Sequence, residues 1–311
     1  MWSPDGRQLV TTSYDGTIRL WDSASGECQR VVARYQTSLW DCAWSPDGKR
    51  LAAVGSEGIT RLLDANTGQC QHILEGHKDL VWVCAWSPDG QWLASAGHDI
   101  AIRLWDTANG KCRHVLEGHQ LWVTGCAWSP DGRQIVSIGY DTTLRVWDAA
   151  SGECRLILQG HHGIGSGCAW SPDGRWIASS GADNKLRLWD TASGECRRVL
   201  EGHGGGVMGC AFSPDGRWLA SAGDDGALRL WDVASGQELG FRCYHFDGGE
   251  NATLSTDGSA VRYASPEAWR WLGWLAADPA SGEITRYPAE TFGPIPLPRS
   301  HAPGRPGQAG M

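Results

Sequence analysis

The chain has 311 residues and a formal net charge of −8. Its Lys and Arg residues form no basic run, and phosphate contacts need a basic patch, so nucleic acid is not an expected partner. The longest apolar stretch near the C-terminal end, residues 269–277, is interrupted by Arg270 and is far too short to cross a bilayer, so no membrane association is expected.

The first recurring feature along the chain is a Ser-Pro-Asp-Gly turn, in which Pro fixes φ and Gly permits a left-handed backbone. It starts at Ser3 and returns every 42 residues, at Ser45, Ser87, Ser129, Ser171 and Ser213, with a decayed copy at Ser255. Two short apolar segments follow each turn, separated by a second tight turn, and neither has a helical period. A period of about 40–45 residues with four strands is typical of a propeller blade.

A Trp-Asp pair closes five of these repeats, at residues 21–22, 105–106, 147–148, 189–190 and 231–232, and Leu63-Asp64 replaces it in the second repeat. With a Gly-His pair opening the repeats, the chain resembles the WD-repeat β-propellers, strongly over residues 2–243 and weakly over 244–288. The resemblance implies an all-β fold of seven blades, each of four antiparallel strands. Because Met1 aligns with Ala43, the first blade is expected to be incomplete, and a six-blade ring starting at residue 38 is the alternative.

The same resemblance gives the domain boundaries. Residues 1–288 are expected to form the propeller, with a degenerate last repeat at 244–288 whose residues 282–287 supply its outermost strand. Residues 289–311 are rich in Pro and Gly and are predicted to be a disordered tail. The nearly identical repeats resemble bacterial WD-repeat regions, so we expect the chain to be the C-terminal part of a larger protein.

The third repeat illustrates the predicted strands, which cover residues 80–87, 92–96, 102–106 and 111–116. Val81 and Cys84 are both apolar and three residues apart, whereas strict alternation would place them on opposite faces. A β-bulge near Trp82 and Val83 would restore a single apolar face.

The chain has 11 cysteines, and ten of them fall in two sets that follow the repeat. One set is predicted in the outermost strands and the other in the innermost strands of the following blades, too far apart for disulfides. The outer set is Cys28, Cys70, Cys112, Cys154 and Cys196, and the inner set is Cys42, Cys84, Cys126, Cys168 and Cys210. Reduced thiols predict a cytoplasmic location.

Resemblance to the family also implies a hydrogen-bonded tetrad of His, Ser, Asp and Trp within each blade. Four repeats carry all members: His77, Ser95, Asp99 and Trp105; His119, Ser137, Asp141 and Trp147; His161, Ser179, Asp183 and Trp189; and His203, Ser221, Asp225 and Trp231. The second repeat departs at every position, with Tyr35, Ala53, Glu57 and Leu63, so its blade is expected to be softer.

Catalytic interpretations find little support in the sequence. Residues 204–209 fit the pattern GxGxxG, but a strand is predicted after them where a dinucleotide site needs a helix. The Cys and His residues are scattered around the repeats, whereas a zinc site needs four converging ligands. The inward first-strand positions hold a single acid, at Asp41, which disfavours a metal in the channel. We therefore predict no catalytic, cofactor-binding or metal-binding residues.

Residues at one rim of the channel differ between repeats whose other positions are nearly invariant. The rim is the common partner-binding face of the family, and aromatic residues favour an interface, although they could also simply fill the channel mouth. The candidate partner-binding residues are Trp40, Trp82, Trp122, Met208, Tyr14, His98 and Tyr140. We predict a non-catalytic module that binds a protein or peptide, with the oligomeric state open. The alternatives are the sensor region of a bacterial signalling protein whose effector domain lies upstream of Met1, and a propeller enzyme.

Overall fold

The computed structural model describes residues 1–239 with their side chains, together with the backbone of strands at 241–245, 251–255, 261–264, 273–277 and 284–288. The predicted tail, 289–311, lies outside the described residues. The chain divides into two compact units, the first formed by Met1–Asp225 and Asp232–Gly236, the second by Gly226–Trp231 and Gln237–Met311. No helix in the described residues is long and apolar enough to cross a membrane.

The first unit contains five antiparallel sheets, here named sheet 1 to sheet 5 in chain order. Sheet 1 comprises β1 (Gln8–Thr12), β2 (Thr17–Asp22) and β3 (Cys28–Arg34). Sheet 2 comprises β4 (Leu39–Trp44), β5 (Arg50–Gly55), β6 (Ile59–Asp64) and β7 (Cys70–Glu75). Sheet 3 comprises β8 (Val81–Trp86), β9 (Trp92–Gly97), β10 (Ile102–Asp106) and β11 (Cys112–Leu116).

Sheets 4 and 5 repeat the same order of strands. Sheet 4 comprises β12 (Val123–Trp128), β13 (Gln134–Gly139), β14 (Thr143–Asp148) and β15 (Cys154–Gln159). Sheet 5 comprises β16 (Gly165–Trp170), β17 (Trp176–Gly181), β18 (Lys185–Asp190) and β19 (Cys196–Glu201). A final antiparallel pair in this unit is formed by β20 (Val207–Phe212) and β21 (Trp218–Gly223).

Within each sheet the strands pair in chain order, and the first strands of successive sheets lie side by side. Sheet 1 lacks a first strand, as the sequence predicted, and only a single bridge between Trp2 and Leu9 marks its place. The predicted all-β propeller is therefore confirmed, with six to seven blades and an incomplete first one.

The predicted strands of the third repeat are confirmed to within one residue at each end. The expected β-bulge is also present, because the register of β8 against β9 shifts between Val81 and Val83. The corresponding shift recurs in every complete sheet, for example between Leu39 and Asp41. The bulge lets short first strands present one apolar face to the neighbouring sheet.

Side-chain hydrogen bonds hold the two kinds of turn. In the Ser-Pro-Asp-Gly turn, Ser45 Oγ donates to Asp47 Oδ1 at 2.6 Å and accepts from Arg50 N at 2.9 Å, while Gly48 has a φ of +69°. The Asp of each Trp-Asp pair holds the next turn: Asp64 Oδ1 accepts from Thr67 N at 2.8 Å. The second repeat keeps Asp64 even though Leu63 replaces the tryptophan. The aspartate holds the turn, whereas the preceding residue is buried between the sheets.

The hydrophobic core lies between neighbouring sheets. One buried cluster joins Val10 and Ile18 of sheet 1 to Trp44 and Leu51 of sheet 2, and equivalent clusters follow between later sheets. The tryptophans that end β8 and β12 also reach across: Trp86 Nε1 donates to Ala43 O at 3.1 Å, and Trp128 Nε1 donates to Ala85 O at 3.0 Å. Stability therefore arises from contacts between nearest-neighbour repeats.

Both cysteine sets occupy the predicted strands. The outer set lies at the start of the outermost strands and is exposed, whereas the inner set lies in the innermost strands and is buried or half-buried. Burial raises the pKa of the Cys42 and Cys210 thiols to about 12. These ten cysteines are free in the structure.

The second unit carries the degenerate part of the chain. Its strands are β22 (Ala227–Asp232, whose last residue belongs to the first unit), β23 (Phe241–His245), β24 (Asn251–Ser255), β25 (Val261–Ala264), β26 (Gly273–Ala277) and β27 (Ile284–Pro288). The strand expected at 282–287 corresponds to β27, which pairs with β26. In the described part of this unit, β24 pairs with β23 and with β25.

Candidate functional site

The polar set in sheet 5 shows how one blade is tied together. His161 precedes β16, Ser179 lies on β17, Asp183 lies in the turn after β17, and Trp189 lies on β18. His161 Nδ1 is 2.9 Å from Asp183 Oδ1, and its Nε2 is 2.8 Å from Ser179 Oγ. Trp189 Nε1 donates to the same hydroxyl at 2.8 Å. The hydroxyl therefore accepts a hydrogen bond from the indole and shares a second hydrogen bond with the imidazole, whose direction depends on the ring tautomer.

The same geometry occurs in sheets 3 and 4. The distances from His77 to Asp99 and Ser95 are 2.8 and 2.7 Å, and those from His119 to Asp141 and Ser137 are also 2.8 and 2.7 Å. Indole donors complete both sets: Trp105 Nε1 lies 2.7 Å from Ser95 Oγ, and Trp147 Nε1 lies 2.8 Å from Ser137 Oγ. In the fourth set, His203 lies 3.0 Å from Asp225 and 2.8 Å from Ser221. Trp231 belongs to the second unit and is buried there.

Burial, hydrogen bonds and neighbouring charges shift the pKa values of His161 and Asp99 below their ordinary values. Burial lowers the pKa of His161, against the opposing hydrogen bond and charge of Asp183. Burial acts to raise the pKa of Asp99, but the hydrogen bond and charge of His77, the Lys78 N–H and the Arg103 guanidinium outweigh it and hold that pKa at about 2. The ring nitrogens of all four histidines face partners within the blade, so these residues have no free position from which to act on a substrate.

Sequence reasoning missed a fifth member of the sets in sheets 3 and 5, an arginine on the third strand. Arg187 NH1 lies 2.7 Å from both Asp183 Oδ2 and His161 Nδ1, and Arg103 makes the matching contacts with Asp99 and His77 in sheet 3. The signal was available, because Arg recurs every 42 residues at 19, 61, 103, 145, 187 and 229. Arginine is usually exposed, so its recurrence did not suggest a buried role.

The second repeat replaces the tetrad with a different interaction. Arg61 forms an ion pair with Glu57, and its guanidinium carbon lies 4.3 Å from the centre of the Tyr35 ring. Ala53 and Leu63, which replace the Ser and Trp, are fully buried. A cation–π contact and an ion pair thus take the place of the hydrogen-bonded histidine in sheet 2.

The candidate partner-binding residues converge on one surface of the first unit, which we name the rim patch: Tyr14, Trp40, Trp82, His98, Trp122 and Tyr140. Ring centres are 4.8 Å apart for Tyr14 and Trp40, 6.3 Å for Trp40 and Trp82, and 5.7 Å for Trp82 and Trp122. Trp122 lies 5.0 Å from Tyr140. The rim patch therefore runs without a break from sheet 1 to sheet 4. Met208, on β20, is exposed but lies outside these ring contacts.

Trp82 forms the floor of the rim patch. Its ring lies 4.5 Å from that of His98, which in turn stacks on Trp122 with centres 3.9 Å apart and planes 7° from parallel. Trp82 and His98 are half-buried, and within the described residues neither Trp82 Nε1 nor His98 Nε2 has a hydrogen-bond partner. The exposed fractions are 71% for Tyr14, 39% for Trp122 and 37% for Trp40. Three exposed aromatic side chains, Tyr14, Trp40 and Trp122, thus surround the half-buried Trp82 and His98.

Asp41, the single acid at the inward first-strand positions, is held between two sheets. Its carboxylate accepts from Cys42 N at 2.8 Å and from Cys84 N of sheet 3 at 3.0 Å. The described residues contain no group of three or more His, Cys, Asp or Glu side chains arranged to hold a metal ion. The Asp41 carboxylate therefore links strand β4 to strand β8 through hydrogen bonds to their backbone N–H groups.

Burial raises the pKa of Asp41 to about 6, although the two N–H donors act to lower it. The pKa of an Asp in an unfolded chain is about 3.9. Between about pH 4 and pH 6, Asp41 therefore binds more protons in the folded state than in the unfolded state. The contribution of Asp41 to the free energy of unfolding should consequently fall as pH rises from about 4 to 6. A carboxyl ¹³C titration should place the midpoint of Asp41 near 6 and that of Asp99 near 2. Equal midpoints for the two residues would contradict this account.

Comparison with known families agrees with the geometry. Residues 38–261 match the model described as IFT122 first beta-propeller, and residues 1–22 match that of the WD domain, G-beta repeat. No curated protein matches the chain. Because the first of these models covers more than two thirds of the sequence, the chain belongs to the WD-repeat β-propeller family described as the IFT122 first beta-propeller.

Proposed function

We propose that this propeller is a non-catalytic module that binds a protein or peptide through the rim patch. WD-repeat propellers generally act as protein-interaction scaffolds and are typically not enzymes. The observation that carries the proposal is the unbroken series of ring contacts from Tyr14 to Tyr140 across four sheets. Exposed aromatic residues of this kind supply much of the binding energy at protein interfaces.

Comparison between repeats supports a recognition role over a purely structural one. The position of Tyr14 is occupied in later repeats by Ser56, His98, Tyr140, Ala182 and Asp224. Residues that hold the fold, such as the turn Ser and the Asp of the Trp-Asp pair, are kept in the same repeats. A position needed only for packing would follow the repeat, so its variation favours a surface shaped for one ligand.

The rim patch has the form of a shallow aromatic platform. Trp82 is held beneath its neighbours, whereas Tyr14, Trp40 and Trp122 keep more than a third of their surface exposed. Trp40 is also oriented, because its Nε1 donates to Ser56 Oγ at 3.1 Å. Rigid aromatic side chains lose little conformational entropy on binding, which favours them as anchors.

Charge near the rim patch favours a neutral or basic ligand. The chain carries a net charge of −8, and the exposed carboxylate of Asp79 lies 4.0 Å from His98 Nδ1. Such charges act more on the rate of association than on affinity. The ligand that fits best is a peptide segment with apolar side chains and an adjacent Lys or Arg.

The test is a selection from a displayed peptide library, followed by calorimetric titration of the selected peptides. The variant Tyr14→Ala/Trp40→Ala/Trp122→Ala should bind at least about 100-fold more weakly, since hot-spot residues contribute about 2 kcal/mol or more each. Trp82 is left in place because it supports the others.

The matched control changes three exposed apolar residues on outermost strands, as Ile73→Ala/Val115→Ala/Ile157→Ala. It should retain the wild-type affinity. If the rim variant keeps that affinity while folded, or if the control loses as much, the rim patch is not the recognition surface.

A further inference from the structure

A cavity of about 490 Å³ opens between sheets 3 and 4, at the end of the strands opposite the rim patch. We name it the interblade groove. Its inner wall is formed by Trp92, Trp128, Gly132 and Ala149, and His114 lies at its outer side. The volume is within the range of about 300–1,000 Å³ found for ligand sites.

The equivalent groove between sheets 2 and 3 is filled by the chain itself. Arg50 lies across it, donating from NH1 to Thr107 O at 3.0 Å and from NH2 to Gly90 O at 3.1 Å. Its guanidinium carbon lies 4.8 Å from the centre of the Trp86 ring. Thr107 Oγ1 adds a second donor to Gly90 O at 2.8 Å. Two carbonyls and one indole face thus form a complete guanidinium site.

The residues 42 positions later in the chain form the corresponding site in the interblade groove, but the arginine is absent there. Trp86 becomes Trp128, Gly90 becomes Gly132 and Thr107 becomes Ala149, so the indole face and both carbonyls remain. Arg50 becomes Trp92, and the threonine hydroxyl is lost. Within residues 1–239, no side-chain donor reaches the carbonyl oxygens of Gly132 or Ala149.

A second arginine position also varies between the sheets. Arg30 of sheet 1 donates to Ala65 O of sheet 2, and Arg198 of sheet 5 donates to Ser235 O at 3.0 Å. The equivalent residues are His72 beside the groove that Arg50 fills and His114 beside the interblade groove, and the described residues show no such bond for either. Between sheets 4 and 5 the corresponding residue is Leu156, which packs against the core. The interblade groove thus keeps the carbonyls without either arginine.

We propose that the interblade groove binds the guanidinium group of an arginine side chain from a partner protein. The planar fork would donate to Gly132 O and Ala149 O while it stacks on Trp128, as Arg50 does one sheet earlier. Lysine is a poor substitute because its ammonium group is compact and cannot stack or span two acceptors in the same way.

Charges at the mouth of the interblade groove indicate which residues should flank that arginine in the partner's sequence. Arg113 and Arg133 line the mouth and are exposed, and they would repel an isolated cation. Asp148 also lies there, but its carboxylate already accepts from Arg155 at 3.2 Å and from its own turn. An acidic residue next to the incoming arginine would pair with Arg113 or Arg133. The site therefore fits an arginine flanked by Asp or Glu.

The test uses the full chain and the fluorescein-labelled peptide Gly-Asp-Arg-Glu-Gly, with binding followed by fluorescence anisotropy. Peptides with lysine or with citrulline in place of the arginine should bind at least about 10-fold more weakly. Trp92→Arg recreates the internal arginine of the preceding groove, so this variant should also lose at least about 10-fold in affinity, because its own guanidinium occupies the site. Gln134→Arg makes the same change one sheet later and should leave binding unchanged.

Equal affinity for the citrulline peptide would assign binding to its acidic residues and the exposed arginines, and would overturn the proposal. So would equal affinity for the lysine peptide, unchanged binding by a folded Trp92→Arg variant, or no saturable binding. The peptide comparisons use the wild-type chain and do not depend on how the variant folds. Because the interblade groove and the rim patch lie at opposite ends of the strands, either proposal can fail without the other.

Discussion

His161→Ala is expected to lower the free energy of unfolding by about 1–3 kcal/mol, the usual cost of leaving buried polar groups unsatisfied. The substitution removes the ring partner of both Ser179 Oγ and Asp183 Oδ1. Ser179 is fully buried, and the side chain of Asp183 is only 8% exposed, so water cannot readily replace the imidazole. Urea titration followed by circular dichroism measures the change.

The adjacent His162 provides the matched control, because it has the same side chain but is exposed. His162→Ala should change the free energy of unfolding by less than about 0.5 kcal/mol, as is usual for a surface substitution. A similar loss for both variants would mean that the polar set of sheet 5 contributes nothing beyond the average effect of removing a histidine.

Gly97→Ala is expected to destabilise the fold by about 1–3 kcal/mol, the range found for overpacked sites. A Cβ at this position would lie 2.0 Å from Leu80 O and 2.8 Å from Val81 Cα, and both are backbone atoms. Leu80 O also accepts from His98 N at 2.9 Å. The backbone would have to move to admit a methyl group, and His98 and Trp82 of the rim patch would move with it.

Gly209→Ala is the control for this prediction. Its added Cβ would meet nothing within 4 Å, and its φ lies outside the left-handed region. It should therefore be neutral or slightly stabilising, since alanine restricts the unfolded chain more than glycine does. Thermal unfolding of the two variants separates steric from conformational effects, and equal midpoints would contradict the close approach at Gly97.

Much of the fold could be predicted because the same turn and strand pattern recurs in each repeat of the sequence. Turn residues that need special φ values recur every 42 residues, so strand bounds and the bulge at Val81 followed directly from the pattern. The pairing of β23 with β24 could not be predicted in the same way, because the degenerate repeat has lost the glycine of its Gly-His pair and its turn proline.

The sequence indicated which residues belong to the candidate site, but not how deeply each side chain is buried. Variation between repeats identifies Trp40, Trp82 and Trp122, but only the structure shows that Trp82 lies beneath the others. The interblade groove could not be anticipated, because it depends on which residue fills the space between two sheets. Its walls come from residues such as Trp92 and Ala149 that are far apart in the sequence and carry no motif.

The central claim, that partners bind at the rim patch, is tested most directly by photo-crosslinking. The photoreactive amino acid p-benzoylphenylalanine would replace Tyr14 in one variant and Val115, exposed on the outermost strand β11, in another. With a peptide selected for binding to the wild-type chain, the account predicts a crosslink from position 14 that excess unlabelled peptide suppresses, and none from position 115. A suppressible crosslink from position 115 and none from position 14 would contradict it.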